Sequence, residues 1–501
     1  MISQKVIFSY SSRLLIQIVQ ILVGIVVARY IGPSVLGILS YSLAFVSMFL
    51  FITDLGLGTA FVKLRSDGSV PFLDLVKTFY VIKIVLIVIF GFCALLAIYW
   101  HHFDSTISIA DNLNNESLQI LLIYVGITSV GAFYNIQTTY WASEMKQVYA
   151  ELPALLQQLI YQLLRLLIVI LGYSALGISL MNLVAVFAIL PLYLYFGRSI
   201  HKGKFSFEIF KKLLVVLSPV IFIGVMQVLI YSTDKVVLQE LSGDFSVGLY
   251  AASSALANFL KAIEGVLGML FFAYISRFWT ERKWDDLARI LDKFLAIVFS
   301  FVTPVVVLMI IVADRIIELL YGSDFADAVG SFRWLMIAFL IGLSSLPFGN
   351  ILFAAGLFSF SASVWFLGFV VFLSSAYLLI HPNVSNLGDT GASIAIFLAN
   401  ILIGLFFLIK ASNLIAYKYW KFYPLLLFNL ATGVAGIFLY LLFRSEMSTS
   451  LVVFCCFLYL VCFFTIGFYF GILQRSSFLL IRNSFSPARM KSYIASEMKG
   501  K

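Results

Sequence analysis

The basic residues that could bind an anion lie within, or at the edge of, long apolar stretches of the chain. They are Arg13, Arg29, Lys83, Arg165 and Lys261. An ionisable side chain inside an apolar segment is costly and usually faces a polar cavity. Arginine recognises phosphate through two parallel hydrogen bonds. The set predicts a cationic path for an anionic substrate, although Arg29 also suits an interfacial anchor and Arg13 could snorkel to the inner phosphates.

A polar stripe precedes the deepest of these cations. Gln158, Tyr161, Gln162 and Arg165 follow one another at intervals of three, one and three residues. On an α-helix such positions share one face. We therefore predict that Gln158, Tyr161 and Gln162 line the cavity beside Arg165.

Three acidic residues are candidates for ion coupling: Asp54, Asp234 and Glu264. Asp54 ends an apolar segment before two closely spaced glycines, where it either caps a helix after a break or binds a coupling cation. Glu264 follows Lys261 by three residues, so the two either neutralise each other within one helix or act separately.

The sequence holds no arrangement typical of an enzyme or a metal centre. There is no Walker motif, no Ser-His-Asp set and no zinc-ligand spacing. The four cysteines all fall in apolar runs and are interpreted as small membrane hydrophobes. We expect no catalytic residue, metal or cofactor, and an energy source in an ion gradient or the substrate gradient.

Composition requires a lipid environment around the elements that position these residues. The chain has 501 residues, of which 62% are apolar and 11% charged, and its mean hydropathy is +1.05. A bilayer-spanning helix needs about 20 apolar residues. Fourteen candidate spans lie near 10–30, 38–60, 78–100, 118–140, 152–171, 175–197, 213–232, 247–272, 294–313, 332–354, 361–380, 391–409, 423–443 and 451–473. The alternation of a β-barrel is missing, which predicts an all-α integral membrane protein.

The positive charges predict the orientation. With the N-terminus in the cytoplasm, inner segments hold 23 of the 33 lysines and arginines and outer segments hold five. Short cytoplasmic loops carry such an excess. Both termini are expected in the cytoplasm, and the formal net charge of +9 then reflects topology and needs no nucleic-acid partner.

A repeated motif indicates two related halves. Gly32 and Gly37 recur as Gly243 and Gly248, each pair linking two apolar segments and followed by small residues. Such internal repeats are typical of alternating-access carriers. The spacing also occurs at Gly172 and Gly177, so it does not identify the repeat alone. We predict six-helix bundles at 1–200 and 201–415, two further spans at 416–475 and a basic cytoplasmic tail at 476–501.

Five short motifs follow one another along the chain: 28–37 (ARYIGPSVLG) with Tyr41, 54–60 (DLGLGTA), 233–238 (TDKVVL), 247–252 (VGLYAA) and 320–322 (LYG). In these motifs the chain resembles the Wzx-type polysaccharide flippases of the MATE-like (MOP) superfamily. The resemblance implies two six-helix bundles around a V-shaped cavity, ion antiport, and roles for Arg29, Asp54 and Asp234. It also implies export of a polyprenyl-pyrophosphate-linked oligosaccharide to the outer leaflet, for O-antigen, capsule or exopolysaccharide.

Three other functions stay open. A cation or drug antiporter predicts cavity carboxylates, whereas basic residues dominate the spans. A flippase for the lipid-linked peptidoglycan precursor shares the fold and a basic cavity. A membrane polymerase or ligase needs a long outer loop with catalytic groups, and no outer loop is long enough. The expected setting is a monomer in the bacterial inner membrane, with membrane lipids, a polysaccharide polymerase and a chain-length regulator as partners.

Overall fold

Every secondary-structure element of the described residues is helical. The computed structural model describes residues 2–68, 70–102, 115–144, 146–197, 203–216, 220–443 and 449–469. The predicted tail at 476–501 and the side chain of Arg13 lie outside the described part. The helices are α1 (Ile2–Ser47), α2 (Leu57–Asp67), α3 (Phe72–His102), α4 (Glu116–Ser143), α5 (Gln147–Ile170), α6 (Ala175–Gly197), α7 (Phe207–Val216), α8 (Val220–Thr280), α9 (Trp284–Ile297), α10 (Thr303–Ile311), α11 (Ala313–Tyr321), α12 (Val329–Ala354), α13 (Phe358–Ile380), α14 (Gly388–Ile415), α15 (Tyr423–Phe443) and α16 (Thr449–Tyr469).

The helices confirm the prediction of a multi-pass membrane protein. Among the described residues, eleven helical segments are long and apolar enough to cross a bilayer, and Cys455–Tyr469 is a shorter apolar helix. Two predicted spans are not separate helices, because α1 and α8 each run through a kink into the next span. The second arms correspond to the predicted spans at 38–60 and 247–272, and the helix of the former ends at Ser47.

Both kinks lie at the first glycine of the repeated motif. Gly32 has φ 74° and ψ 174°, and Gly243 has φ 79° and ψ 179°. This conformation is almost restricted to glycine, since a Cβ would clash with the backbone. Pro33 reinforces the first kink because a residue before proline avoids the helical region.

The second glycine of each motif packs against the other motif. A Cβ on Gly37 would lie 1.9 Å from the carbonyl oxygen of Asp244, and a Cβ on Gly248 would lie 1.9 Å from that of Pro33. The two contacts are equivalent, because adding the repeat offset of 211 to Pro33 and Gly37 gives Asp244 and Gly248. The two kinks therefore cross backbone to backbone about a local pseudo-two-fold axis. Gly172, at the third occurrence of the spacing, belongs to the turn between α5 and α6.

The chain divides into two compact units. The first comprises Met1–Ala252 and Ala376–Ala392, and the second Ser253–Ser375 and Ser393–Lys501. In the first unit, Leu57, Phe61, Phe79 and Leu213 belong to a buried apolar cluster that joins α2, α3 and α7. The bundle boundaries at 200 and 415 stay a prediction from sequence.

The connection between α8 and α9 has the chemistry of a membrane–water boundary. The rings of Trp279 and Trp284 meet edge to face with centroids 5.1 Å apart. Hydrogen bonds from Arg277 and then Lys283 lower the pKa of Glu281 to about 2, so this carboxylate stays ionised at physiological pH. Tryptophans beside charged groups are typical of membrane interfaces.

Candidate functional site

The predicted polar stripe forms one face of α5. Gln158 accepts a hydrogen bond from the side-chain amide of Gln20 on α1 at 3.1 Å. The guanidinium carbon of Arg165 lies 6.0 Å from the centre of the Tyr161 ring. Tyr124 of α4 and Ser179 of α6 border the same place. Helices α1, α4, α5 and α6 therefore enclose a polar cluster within the first unit.

Arg165 keeps unused hydrogen-bonding capacity. Its Nε is buried and has no hydrogen-bond partner among the described residues, and the same holds for Oε1 of Gln162, a residue that is only 3% exposed. No described carboxylate forms an ion pair with Arg165. An unsatisfied buried polar group is costly and usually marks a place for a ligand or water. The cluster is therefore electropositive and can hold a hydrogen-bonding anion.

Lys83 is neutralised, in contrast to Arg165. It is 1% exposed, and its ammonium donates to the Asp54 carboxylate and to the carbonyl oxygen of Thr53 at 3.1 Å. Asn135 of α4 presents its side-chain oxygen at 3.5 Å. Lys83 and Asp54, predicted from the sequence to have separate roles, are ion-pair partners in the structure.

A break in the second predicted span positions Asp54. Helix α1 ends at Ser47, a short 3-10 turn follows at Leu50–Thr53, and α2 starts at Leu57. Leu55 and Gly56 between them have φ 45° and 73°. The N–H of Gly58 lies 3.4 Å from Asp54 Oδ1, while the N-cap residue of α2 is Gly56.

Asp234 is buried with partners from its own helix. It is 3% exposed and accepts hydrogen bonds from the Tyr250 hydroxyl at 2.7 Å and from the Lys235 N–H at 2.7 Å. The Lys235 ammonium lies 3.6 Å away. These contacts offset the cost of burying the carboxylate.

Lys261 and Glu264 belong to the second unit and interact with each other electrostatically. Both side chains are half-buried, and a Cβ at Gly342 on α12 would lie 3.7 Å from Glu264 Oε1. The pairing of Lys261 with Glu264 stays a prediction from sequence. Arg29 is exposed at the end of the first arm of α1.

An apolar cavity of about 540 Å³ lies in the second unit. Helices α9, α10, α12, α14 and α15 enclose it. Its lining includes Phe299, Val307, Ile341, Ser344, Leu408 and Leu430. Glycines allow close helix approach around it, since a Cβ on Gly433 would meet Val307 at 3.1 Å. Beside the lining residues Tyr419 and Phe422, Lys421 forms an ion pair of 2.5 Å with Asp292.

Several members of these clusters were missed in the sequence. Asn135 and Gln20 are polar residues in apolar spans, and that contrast is a signal that could have identified them. Tyr250 and the cavity-lining residues carry no such signal, because tyrosine and aliphatic residues are common in membrane helices. Among the described residues, no group of three or more His, Cys, Asp or Glu side chains could hold a metal ion.

Comparison with known proteins assigns the fold and the family. The model of a family described as "Polysaccharide biosynthesis protein" matches residues 26–330, which is more than half of the chain. A search of curated proteins finds no match.

Two solved structures illustrate the shared fold. The lipid II flippase MurJ in an inward closed conformation is 17% identical, with 94% of this chain and 99% of that chain covered and a TM-score of 0.65. An inward-facing multidrug resistance MATE family transporter of the MOP superfamily is 15% identical, with coverages of 79% and 94% and a TM-score of 0.61. At such identities the likeness concerns the fold. The predicted resemblance is confirmed: this chain is a multi-pass membrane protein with a MATE-like fold, and it belongs to the polysaccharide biosynthesis protein family.

Proposed function

We propose that this protein is a flippase for a polyprenyl-pyrophosphate-linked oligosaccharide repeat unit. It moves the unit from the cytoplasmic to the outer leaflet of the bacterial inner membrane, for assembly of O-antigen, capsule or exopolysaccharide. Ion-gradient coupling, cytoplasmic termini, a monomeric state and cooperation with a polymerase and a chain-length regulator belong to the same proposal. The protein acts by transport and carries out no covalent chemistry.

The proposal rests on the environment of Arg165. A guanidinium in a membrane helix without a carboxylate partner among the described residues is costly unless a ligand or water compensates it. Pyrophosphate supplies negative charge and planar acceptor geometry that suit arginine. Gln162 and Tyr161 beside it can hydrogen-bond sugar hydroxyls or phosphate oxygens. Lys83 is a weaker candidate for this contact, because Asp54 already neutralises it.

The apolar cavity of the second unit supports a substrate that has a hydrocarbon chain. Its walls are nearly all aliphatic and aromatic, which suits an isoprenoid chain and offers little to a sugar headgroup. The headgroup is assigned to the polar cluster of the first unit.

The environments of Asp54 and Asp234 disfavour export of organic cations. Such a carrier needs an accessible, unneutralised carboxylate, whereas Asp54 is paired with Lys83 and Asp234 with Tyr250 and Lys235. A flippase for the lipid-linked peptidoglycan precursor would use the same pyrophosphate chemistry. The family match favours a polysaccharide repeat unit as the cargo.

The test replaces Arg165 with alanine in a strain that lacks the chromosomal gene. Loss of hydrogen bonds to a charged group costs about 1.5–3 kcal/mol, so we expect surface polysaccharide export to fall roughly 10- to 100-fold. Lipid-linked repeat units should accumulate on the inner leaflet. Arg165→Lys keeps the charge but loses the planar guanidinium, so its export should lie between those of wild type and Arg165→Ala.

The matched control is Arg277→Ala, which removes an exposed arginine paired with Glu281 outside the predicted spans. It should export normally. Normal export by Arg165→Ala at wild-type protein level would refute the role of Arg165. Accumulation of a peptidoglycan precursor, with repeat units unaffected, would assign the other lipid pyrophosphate as cargo.

A further inference from the structure

The break between α1 and α2 has the construction of a cation site. Unwound backbone inside a membrane helix is tolerated where its polar groups find partners. In ion-coupled carriers, carbonyls of broken helices coordinate sodium or protons. In a regular α-helix the N–H of Leu57 would donate to the carbonyl of Thr53. Here it donates to the carbonyl of Asp54 at 2.8 Å, so the carbonyl of Thr53 can accept from another donor.

Three oxygens converge on the place that the Lys83 ammonium occupies. Thr53 O lies at 3.1 Å, Asn135 Oδ1 at 3.5 Å, and Asp54 Oδ1 completes the set as an ion-pair partner. An ammonium carries three donors and no acceptor, so the three oxygens match its three protons. One carbonyl, one amide oxygen and one carboxylate oxygen are also ligands that alkali cations accept.

Charge and strain distinguish this break from an ordinary buried salt bridge. Thr53 ends a short helical turn, and the negative end of a helix favours a cation. Leu55 adopts a positive φ of 45°, a conformation that costs a residue with a side chain and persists only where its surroundings impose it. The Asp54 side chain keeps 44% of its surface exposed while that of Lys83 is almost fully covered, so the cation is enclosed and its counter-ion is accessible.

We propose that the break between α1 and α2 is a site for a monovalent cation and that the Lys83 ammonium is its permanent occupant. The lysine takes the place of an alkali cation, stabilises the unwound segment and keeps the position between the three oxygens closed to metal ions. This position therefore cannot take sodium while Lys83 is present. The inference does not depend on the identity of the transported substrate.

The test removes the tethered cation and offers a free one. Lys83→Met fills the space of the lysine stem and leaves the ammonium position open. Purified wild-type protein, Lys83→Met and Lys83→Met with Asp54→Asn are heated in one detergent, and unfolding is followed by tryptophan fluorescence. Sodium chloride is titrated against choline chloride at constant ionic strength, so that only the identity of the cation changes.

Sodium should raise the apparent Tm of Lys83→Met saturably, by about 2 °C or more, because a ligand that binds only the folded state stabilises it. Wild type and the double variant should show no sodium-specific shift. The matched control is Lys77→Met on the same helix, whose ammonium faces the Tyr80 ring at 5.8 Å, and it should behave like wild type.

Two results would overturn the proposal. One is the absence of a sodium-specific shift in Lys83→Met, and the other is an equal shift in wild type. If Lys83→Met does not give folded protein, the same titration is made with Lys83→Gln, whose amide can still donate to Thr53 O. No sodium-specific stabilisation of that variant would overturn the proposal equally.

Discussion

The crossing of the two glycine motifs makes a quantitative prediction for Gly248→Ala. The new methyl group would lie 1.9 Å from Pro33 O, 2.5 Å from Pro33 C and 2.9 Å from Pro33 Cα. Ordinary Cβ contacts begin at 3.4 Å, so the backbones must separate by about 1.5 Å. All three atoms belong to the backbone, and none can move away by a rotamer change.

We expect a loss of about 2 kcal/mol in the free energy of unfolding. Overpacking costs about 1–3 kcal/mol, and a clash of backbone with backbone takes the upper end, about 3 kcal/mol, of which alanine regains up to about 1 kcal/mol through its higher helix propensity. Gly37→Ala should cost a similar amount, since its methyl group would meet Asp244 O at the same 1.9 Å.

The double variant tests the crossing itself. One separation of the two backbones relieves both clashes, so Gly37→Ala with Gly248→Ala should cost about 1 kcal/mol less than the sum of the single changes. Residues in direct contact show such non-additivity, whereas independent sites add. Gly24→Ala on the first arm of α1 is the control, because a Cβ there meets nothing within 4 Å.

The measurement compares the four variants with wild type by thermal unfolding in one detergent and by surface polysaccharide of complemented strains. Gly24→Ala should unfold at or above the wild-type temperature, and both single variants at the crossing below it. Strict additivity of the two substitutions, or a wild-type Tm for Gly248→Ala, would refute the reciprocal contact.

Two further predictions concern the apolar cavity and the energy source. Ser344→Trp should fill the cavity and slow export because the lipid chain loses its binding place. The control Ser363→Trp, at an exposed position of α13, should export normally. Equal export by both variants would show that the cavity takes no part in transport. Collapse of the ion gradient in inverted or right-side-out vesicles should slow translocation of the lipid-linked unit, and an unchanged flux would exclude ion coupling.

The sequence predicted the features that depend on neighbouring positions. Twenty-residue apolar windows placed the spans, because the bilayer imposes its thickness on each helix separately. The interval pattern of Gln158, Tyr161, Gln162 and Arg165 placed one polar face on α5, because helical periodicity is local. The ARYIGPSVLG motif indicated the family because it consists of consecutive residues and needs no knowledge of the fold.

Similar local patterns have different outcomes once the helices pack. Gly32 and Gly243 kink continuous helices, while Gly172, with the same spacing to its partner, lies in a turn. Gly37 and Gly248 each contact the opposite motif, and such a contact between distant segments cannot be read from either motif alone.

Only the tertiary structure determined which buried charges are neutralised. Lys83 and Arg165 look alike in sequence, each a cation within an apolar span. Lys83 meets Asp54 because a break in the second span brings that carboxylate to α3, while Arg165 meets no carboxylate among the described residues. The free energy of a buried charge depends on partners within a few ångströms, and those partners come from helices that are distant along the chain.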